Sequence, residues 1–294
     1  MDLTGRFPPV VVGVDGSPLA EVAARTGVEI ARRRLLPVRL VRAFDWPTRT
    51  PTAPAVSRPA GREAARQAAS AGLGRLRDVL AGEHPGVRVS AAVVDGPAVT
   101  VLVAESLRAT LLVLGARGDG RLAEVLGPVR AAVFRRSVSP VLSAAATVRR
   151  DGSAPVVVGV DSDDDAATRH LLSAALLEAA TRSSDLVVAD LRRSTPGDRP
   201  AGVDLSVACR GLQSTCPAVR VRLEERAADS PQRLLDAGRD AQLLVVGRGS
   251  RDEPLPGPLR SVLAQSVVPV LLVPPAGDVH ERGTVRALAL PARS

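Results

Sequence analysis

The chain has 294 residues, enough for about two domains of ordinary size. Hydrophobic residues make up 45% and charged residues 24%, and 39 basic residues against 31 acidic ones leave a net charge of +8. Every Lys/Arg position is arginine. A lysine-free chain has no P-loop lysine for nucleotide phosphates and no strand lysine for a protein kinase. It also has no Schiff-base lysine for pyridoxal phosphate or a carbonyl substrate. Two cysteines are too few for a four-cysteine zinc site or a disulfide scaffold, and His84, His170 and His280 sit in no metal spacing. No Gly-x-Ser-x-Gly elbow occurs. No basic stretch runs into an apolar one at the N-terminus, and no apolar run reaches the ~18 residues of a membrane span. The expectations are therefore a cytoplasmic protein without a membrane partner. A pI of 11.2 raises nucleic acid as a partner. The arginines, however, are interleaved with acids, as in Arg32–Arg34 after Glu29, and aromatics are only 1%, so base-stacking platforms are nearly absent. The arginines read as a solvated surface.

In chain order, residues 10–14 form a short β-branched run, as a strand buried on both faces requires. Ser17 is placed to cap a helix with Pro18 at its first position, and Leu19, Ala23, Thr26 and Ile30 share one face of that helix. Residues 38–43 read as a second strand. Ala65, Ala69, Leu73, Leu76 and Leu80 mark an amphipathic helix. A strand at 87–94, a helix at 98–108, a strand at 111–115, a helix at 129–136 and a last strand at 140–142 follow. Strands alternating with helices predict a parallel sheet covered on both faces, with right-handed crossovers.

The pattern then repeats. Residues 9–15, Pro-Val-Val-Val-Gly-Val-Asp, recur at 155–161. Residues 112–115 recur at 244–247, Gly127-Pro128 recurs as Gly257-Pro258, and residues 137–142 recur at 266–271, in the same order. Such self-similarity marks duplicated units. It predicts one domain at 1–147, a second at 152–275, a linker at 143–154 and a loose tail at 276–294. In an open parallel sheet, ligands bind beyond the carboxyl ends of the strands where strand order reverses. Asp15 ends the first strand and Gly115 ends a later one, and a glycine-bearing loop then runs to Gly127. Backbone N–H groups in such a loop, and the helix start after it, suit phosphate oxygens.

These residues resemble a known family. Val-Val-Val-Gly-Val-Asp-Gly-Ser at 10–17, Val-Leu-Gly-Ala-Arg-Gly at 113–118, the loop end at Gly127 and Ser-Val-Ser-Pro-Val-Leu at 137–142 look like a universal stress protein, and the resemblance covers both halves. It implies a tandem, Rossmann-like α/β fold: two five-stranded parallel sheets with helices on both faces. Many members bind ATP, and others do not. The family's pattern places Gly115, Gly118 and Gly127 at phosphates, Asp15 at the nucleoside, Val41 beside the base and Val129 at the helix start. ATP or another adenine nucleotide, with or without Mg²⁺, is thus the implied ligand of the first half. The implied role is a stress-response sensor acting on a protein partner. Two departures stand out. The stretch from Gly118 to Gly127 is one residue short, and the family's hydroxyl residue is Pro128, which lacks both hydroxyl and N–H. Losing two such donors weakens phosphate binding by about one to four powers of ten. In the second half Asp161, Gly247 and Gly257 are kept, but Ser250 replaces a glycine, the loop is short and Pro258 replaces the hydroxyl residue. That site reads as degenerate and the half as structural. Family members pair through the last strand, so Val141 and Val270 are expected to meet within one chain as a pseudo-dimer, with a homodimer as a further possibility.

Three other readings compete. A protein of the same fold without a nucleotide would act through its surface alone. Asp161 and Asp163 form an Asp-x-Asp after a strand, the pattern of a phosphatase nucleophile and acid. Against this, acids at 163–165 also suit a helix start. Cys209 and Cys216 invite a redox pair, yet Leu205, Ala208, Cys209 and Leu212 share a helical face, which makes Cys209 a small core residue. No nucleophile–base pair falls in the proposed cleft, so no catalytic residue is assigned.

Overall fold

The computed structural model describes residues 7–46, 59–115, 127–145, 154–192, 203–225, 231–250 and 252–276. The first half runs β1 (Val10–Gly13), α1 (Pro18–Arg34), β2 (Val38–Phe44), α2 (Pro59–Glu83), β3 (Val89–Asp95), α3 (Ala98–Ser106), β4 (Leu111–Leu114), α4 (Pro128–Arg136) and β5 (Val141–Ser143). The second runs β6 (Val156–Val160), α5 (Asp165–Arg182), β7 (Leu186–Asp190), α6 (Leu205–Thr215), β8 (Val221–Glu225), α7 (Pro231–Gly238), β9 (Leu243–Gly247), α8 (Gly257–Gln265) and β10 (Val270–Val273). Every first-half element expected from the sequence is present, with only its ends shifted. Ser17 caps α1 as predicted, its Oγ accepting from the Ala20 N–H at 3.2 Å.

The strand order is β3-β2-β1-β4-β5-β10-β9-β6-β7-β8. Both copies share the same internal order, with β1 and β6 central. They join into one ten-stranded sheet, because β5 and β10 pair antiparallel while every other neighbouring pair is parallel. Val141 lies opposite Leu272, and Val270 opposite Ser143, about a central Leu142–Leu271 pair. The expected meeting of last strands is therefore real, but Val141 and Val270 are not direct partners. An antiparallel pair about a local twofold matches a strand to its reversed copy, so equal positions face each other only at the centre. The predicted linker also needs correcting at its start. Ser143 belongs to β5, and Ala144 and Ala145 are buried, with the Ala144 N–H donating to the Leu114 carbonyl at 2.9 Å. Residues 146–153 and the tail from 277 lie outside the described residues.

Each face of the sheet carries one apolar layer, and each layer draws residues from both halves. Alternation along β1 explains this: Val10 and Val12 face α1, while Val11 faces the opposite layer with Phe134 of α4. Helices on both faces leave these strands fully buried, which is why they read as continuous apolar runs. On the α1 side the halves are also tied by charge. Glu178 of α5 accepts from Arg34 of α1 and, at 3.2 Å, from Arg182 Nε; the three side chains are 5%, 12% and 13% exposed.

Gly27 lets α1 lie flat on β1. A Cβ there would stand 2.6 Å from Val12 Cγ2, closer than packed carbons come. We expect Gly27→Ala to destabilise the protein by about 1–3 kcal/mol in urea unfolding, although alanine is the better helix former by about 1 kcal/mol. A gain in stability would mean that α1 can lift off the sheet without loss.

Candidate functional site

Strand order reverses between β1 and β4, and a cleft of about 470 Å³ opens beyond their carboxyl ends. That is within the range of small-ligand sites, about 300–1,000 Å³. The backbone shapes it in three places. Val14 continues β1, its N–H donating to the Val41 carbonyl at 2.8 Å. Gly16 then turns the chain at φ +90, and the exposed Asp15 is held by a 2.9 Å bond from the Ser17 N–H to its Oδ1. Gly115 ends β4 against α1, where a Cβ would stand 3.0 Å from the Leu19 carbonyl oxygen; only glycine allows that approach without displacement.

Asp15, Val41, Gly115 and Val129, all expected from the sequence, line this one cleft. Gly127 is the N-cap of α4, with Pro128 at its first turn and no side-chain cap. Gly118 lies outside the described residues. The sequence reading missed the rest of the wall. Ala43, Ala98, Leu102 and Leu114 supply an apolar floor, and Arg130 supplies a cation. Arg130 Nη2 donates to Ser143 Oγ at 2.5 Å, and its guanidinium carbon lies 5.5 Å from the centre of the Phe134 ring. The one clue in the sequence was its place in the first turn after Gly127, which is faint among so many arginines.

The second half builds the same frame differently. Asp161 is exposed at the end of β6, as Asp15 is after β1. Register places Ala189 opposite Gly159 where Val41 lies opposite Gly13, so Leu191 takes the place of Ala43. Leu191 Cδ1 stands 2.9 Å, and both Leu234 methyls 3.2 Å, from where a Cβ on Gly159 would sit. The space over Gly13 is filled in the same way, by Leu114 Cδ2 at 2.9 Å and Leu102 Cδ2 at 3.1 Å, so what differs is the larger side chain of Leu191 in the register of Ala43. After Gly247, Arg248 is buried and donates across the halves to the Ser137 carbonyl, and Leu255 of the short loop is buried. Gly257 opens α8 after Pro256.

The competing motifs are also placed. Asp164 caps α5, its Oδ1 accepting from the Ala167 N–H at 2.8 Å, and Asp165 follows in the first turn. Asp161 and Asp163 are exposed. Among the described residues no group of three or more His, Cys, Asp and Glu is arranged for a metal. Cys209 and Cys216 are free thiols buried in the apolar layer, and burial pushes the Cys209 thiol up, away from a reactive thiolate. Among the described residues no helix is long and apolar enough to cross a membrane.

Comparison with known proteins agrees with this architecture. The universal stress protein family model matches residues 6–144. A universal stress protein of Mycobacterium tuberculosis is 30% identical over 263 residues, spanning 82% of this chain and 86% of that one. The crystal structure of a universal stress protein from Archaeoglobus fulgidus superposes with a TM-score of 0.69 at 17% identity, covering 90% of this chain and 98% of that one, a likeness of fold. A further universal stress protein, solved in complex with cAMP, is 28% identical, covers 47% of this chain and 96% of its own, and has a TM-score of 0.35. With its duplicated sheet and matching strand-end motifs, the chain belongs to the universal stress protein family, in its tandem form.

Proposed function

We propose that the first half binds an adenine nucleotide in the cleft between β1 and β4, and that occupancy alters how the chain meets a protein partner during stress. The observation that carries this reading is the convergence of Asp15, Val41, Gly115 and Val129 on one cleft of about 470 Å³. The apolar floor suits a purine face. Asp15 suits ribose hydroxyls or an exocyclic amine, because a carboxylate only accepts hydrogen bonds. The start of α4 suits phosphate. The second half, with Leu191 in the register of Ala43, serves as the structural partner of the first.

Calorimetric titration with AMP, then with ATP and Mg²⁺, tests this. We expect one site per chain and tighter binding of AMP, since Pro128 removes donors that a triphosphate needs. Heat from neither ligand, on folded protein free of carried-over nucleotide, would sink the reading. The chain would then act through its surface alone.

A further inference from the structure

We propose that Arg130 is the specificity-determining residue of the cleft, selecting a nucleotide with one phosphoryl group close to the ribose over the bare nucleoside. This rests on the reading of the cleft as an adenine-nucleotide site and adds the residue that recognises the phosphate.

Among the described residues lining the cleft, Asp15 carries the one negative charge and Arg130 the one positive charge. They come from different strand-to-helix junctions: Asp15 follows β1, and Arg130 stands in the first turn of α4. A ligand with hydroxyls at one end and a single anion at the other matches that division.

The start of α4 needs such a side chain. Early N–H groups of a helix are its natural anion donors, but Pro128 has none and Gly127 provides no side-chain cap. A guanidinium in the same turn supplies a cation in their place, and a charge-assisted bond to phosphate is stronger than a neutral one.

Arg130 is also held in position. Ser143 Oγ accepts from Nη2, and the fully buried Phe134 ring lies beneath the guanidinium. An arginine already fixed by a hydroxyl and an aromatic face loses less freedom on meeting an anion than one free in solvent. Ser143 lies in β5, opposite Val270 of β10, so the strand that joins the halves also aims the cation.

The test compares AMP with adenosine, by calorimetry, on the full chain and on Arg130→Ala. In the parent protein AMP binds more tightly than adenosine by about tenfold or more, the scale of a charge-assisted pair. In Arg130→Ala that ratio falls close to one while adenosine affinity holds. Arg130→Lys restores only part of it, since an ammonium lacks the planar face that lies on Phe134. Ser143→Ala, which leaves the charge in place, lowers the ratio by a smaller factor. Melting temperature confirms folding of each variant, and the Arg130→Lys and Ser143→Ala variants carry the test if Arg130→Ala fails to fold. An unchanged ratio in the folded variants, or equal affinities in the parent protein, overturns this inference and leaves nucleoside binding standing. Absence of binding by both ligands overturns the nucleotide reading and this inference with it.

Discussion

Asp15→Ala is expected to weaken adenine-nucleotide binding about 10- to 150-fold while leaving the fold intact. A hydrogen bond to a charged group is worth about 1.5–3 kcal/mol, and each 1.4 kcal/mol is tenfold in affinity. Asp15 is exposed, and its carboxylate accepts from the Ser17 N–H two residues on, so its removal costs the fold little. Ser17 still caps α1 through its own hydroxyl. Calorimetry with AMP alongside a thermal melt separates the two effects. The pattern also distinguishes Asp15 from Arg130. Losing the carboxylate weakens AMP and adenosine together, because both carry the nucleoside. Losing the guanidinium weakens AMP alone. Normal AMP affinity in Asp15→Ala would remove Asp15 from the site.

Glu178→Ala should cause the largest loss of stability, about 3–5 kcal/mol in urea unfolding. Burial by itself would push the Glu178 carboxyl up, but Arg34 and Arg182 outweigh it and hold it below the usual carboxylate range. Without that carboxylate, two guanidinium groups that are 12% and 13% exposed face each other with no counter-charge. The penalty comes from stranded charge, not from loss of an attractive pair. Replacing all three residues together by apolar side chains of similar volume is therefore expected to be close to neutral. The pH dependence follows from the same depressed value. The unfolded carboxyl titrates near its ordinary value of 4.5 and the folded one lower, so the unfolded state takes up protons first. The stabilisation is complete above that value and is lost as pH falls through the folded pKa. A melt series from about pH 6 down to about pH 2 should show that loss in the parent protein and a flatter profile in Glu178→Ala. Equal slopes would show that other carboxylates set the acid limit. Since both apolar layers run through both halves, the parent protein should unfold in one transition.

Much of this was written locally and could be read without the fold. The β-branched runs at 10–14 and 156–160, the Ser17–Pro18 helix start and the apolar spacing of α2 each depend on neighbours a few residues away. Short-range sterics and periodicity decide them. The repeat carried the rest of the domain plan, and the motifs at 10–17, 113–118 and 137–142 carried the family. Asp15 and Gly115 could be found because they follow strands, which the alternating pattern already marks, whereas Val41 and Val129 came only with the family resemblance.

The sequence by itself determined the alternating α/β elements, their duplication, and the strand-end residues that face a cleft. Tertiary structure alone decided the register in which the last strands join the two sheets, that Leu191 stands in the register of Ala43, and which charged groups lose their solvent. The family resemblance anticipated that β5 meets β10, but residues 137–143 do not set the register, because an edge strand's open N–H and C=O groups are the same along its length. Arg34, Arg130 and Arg248 are likewise indistinguishable in sequence from arginines that stay in water. Their roles come from Glu178, Ser143 and Ser137, partners brought near by strand pairing and helix packing, where burial turns an ordinary surface charge into one that must be matched.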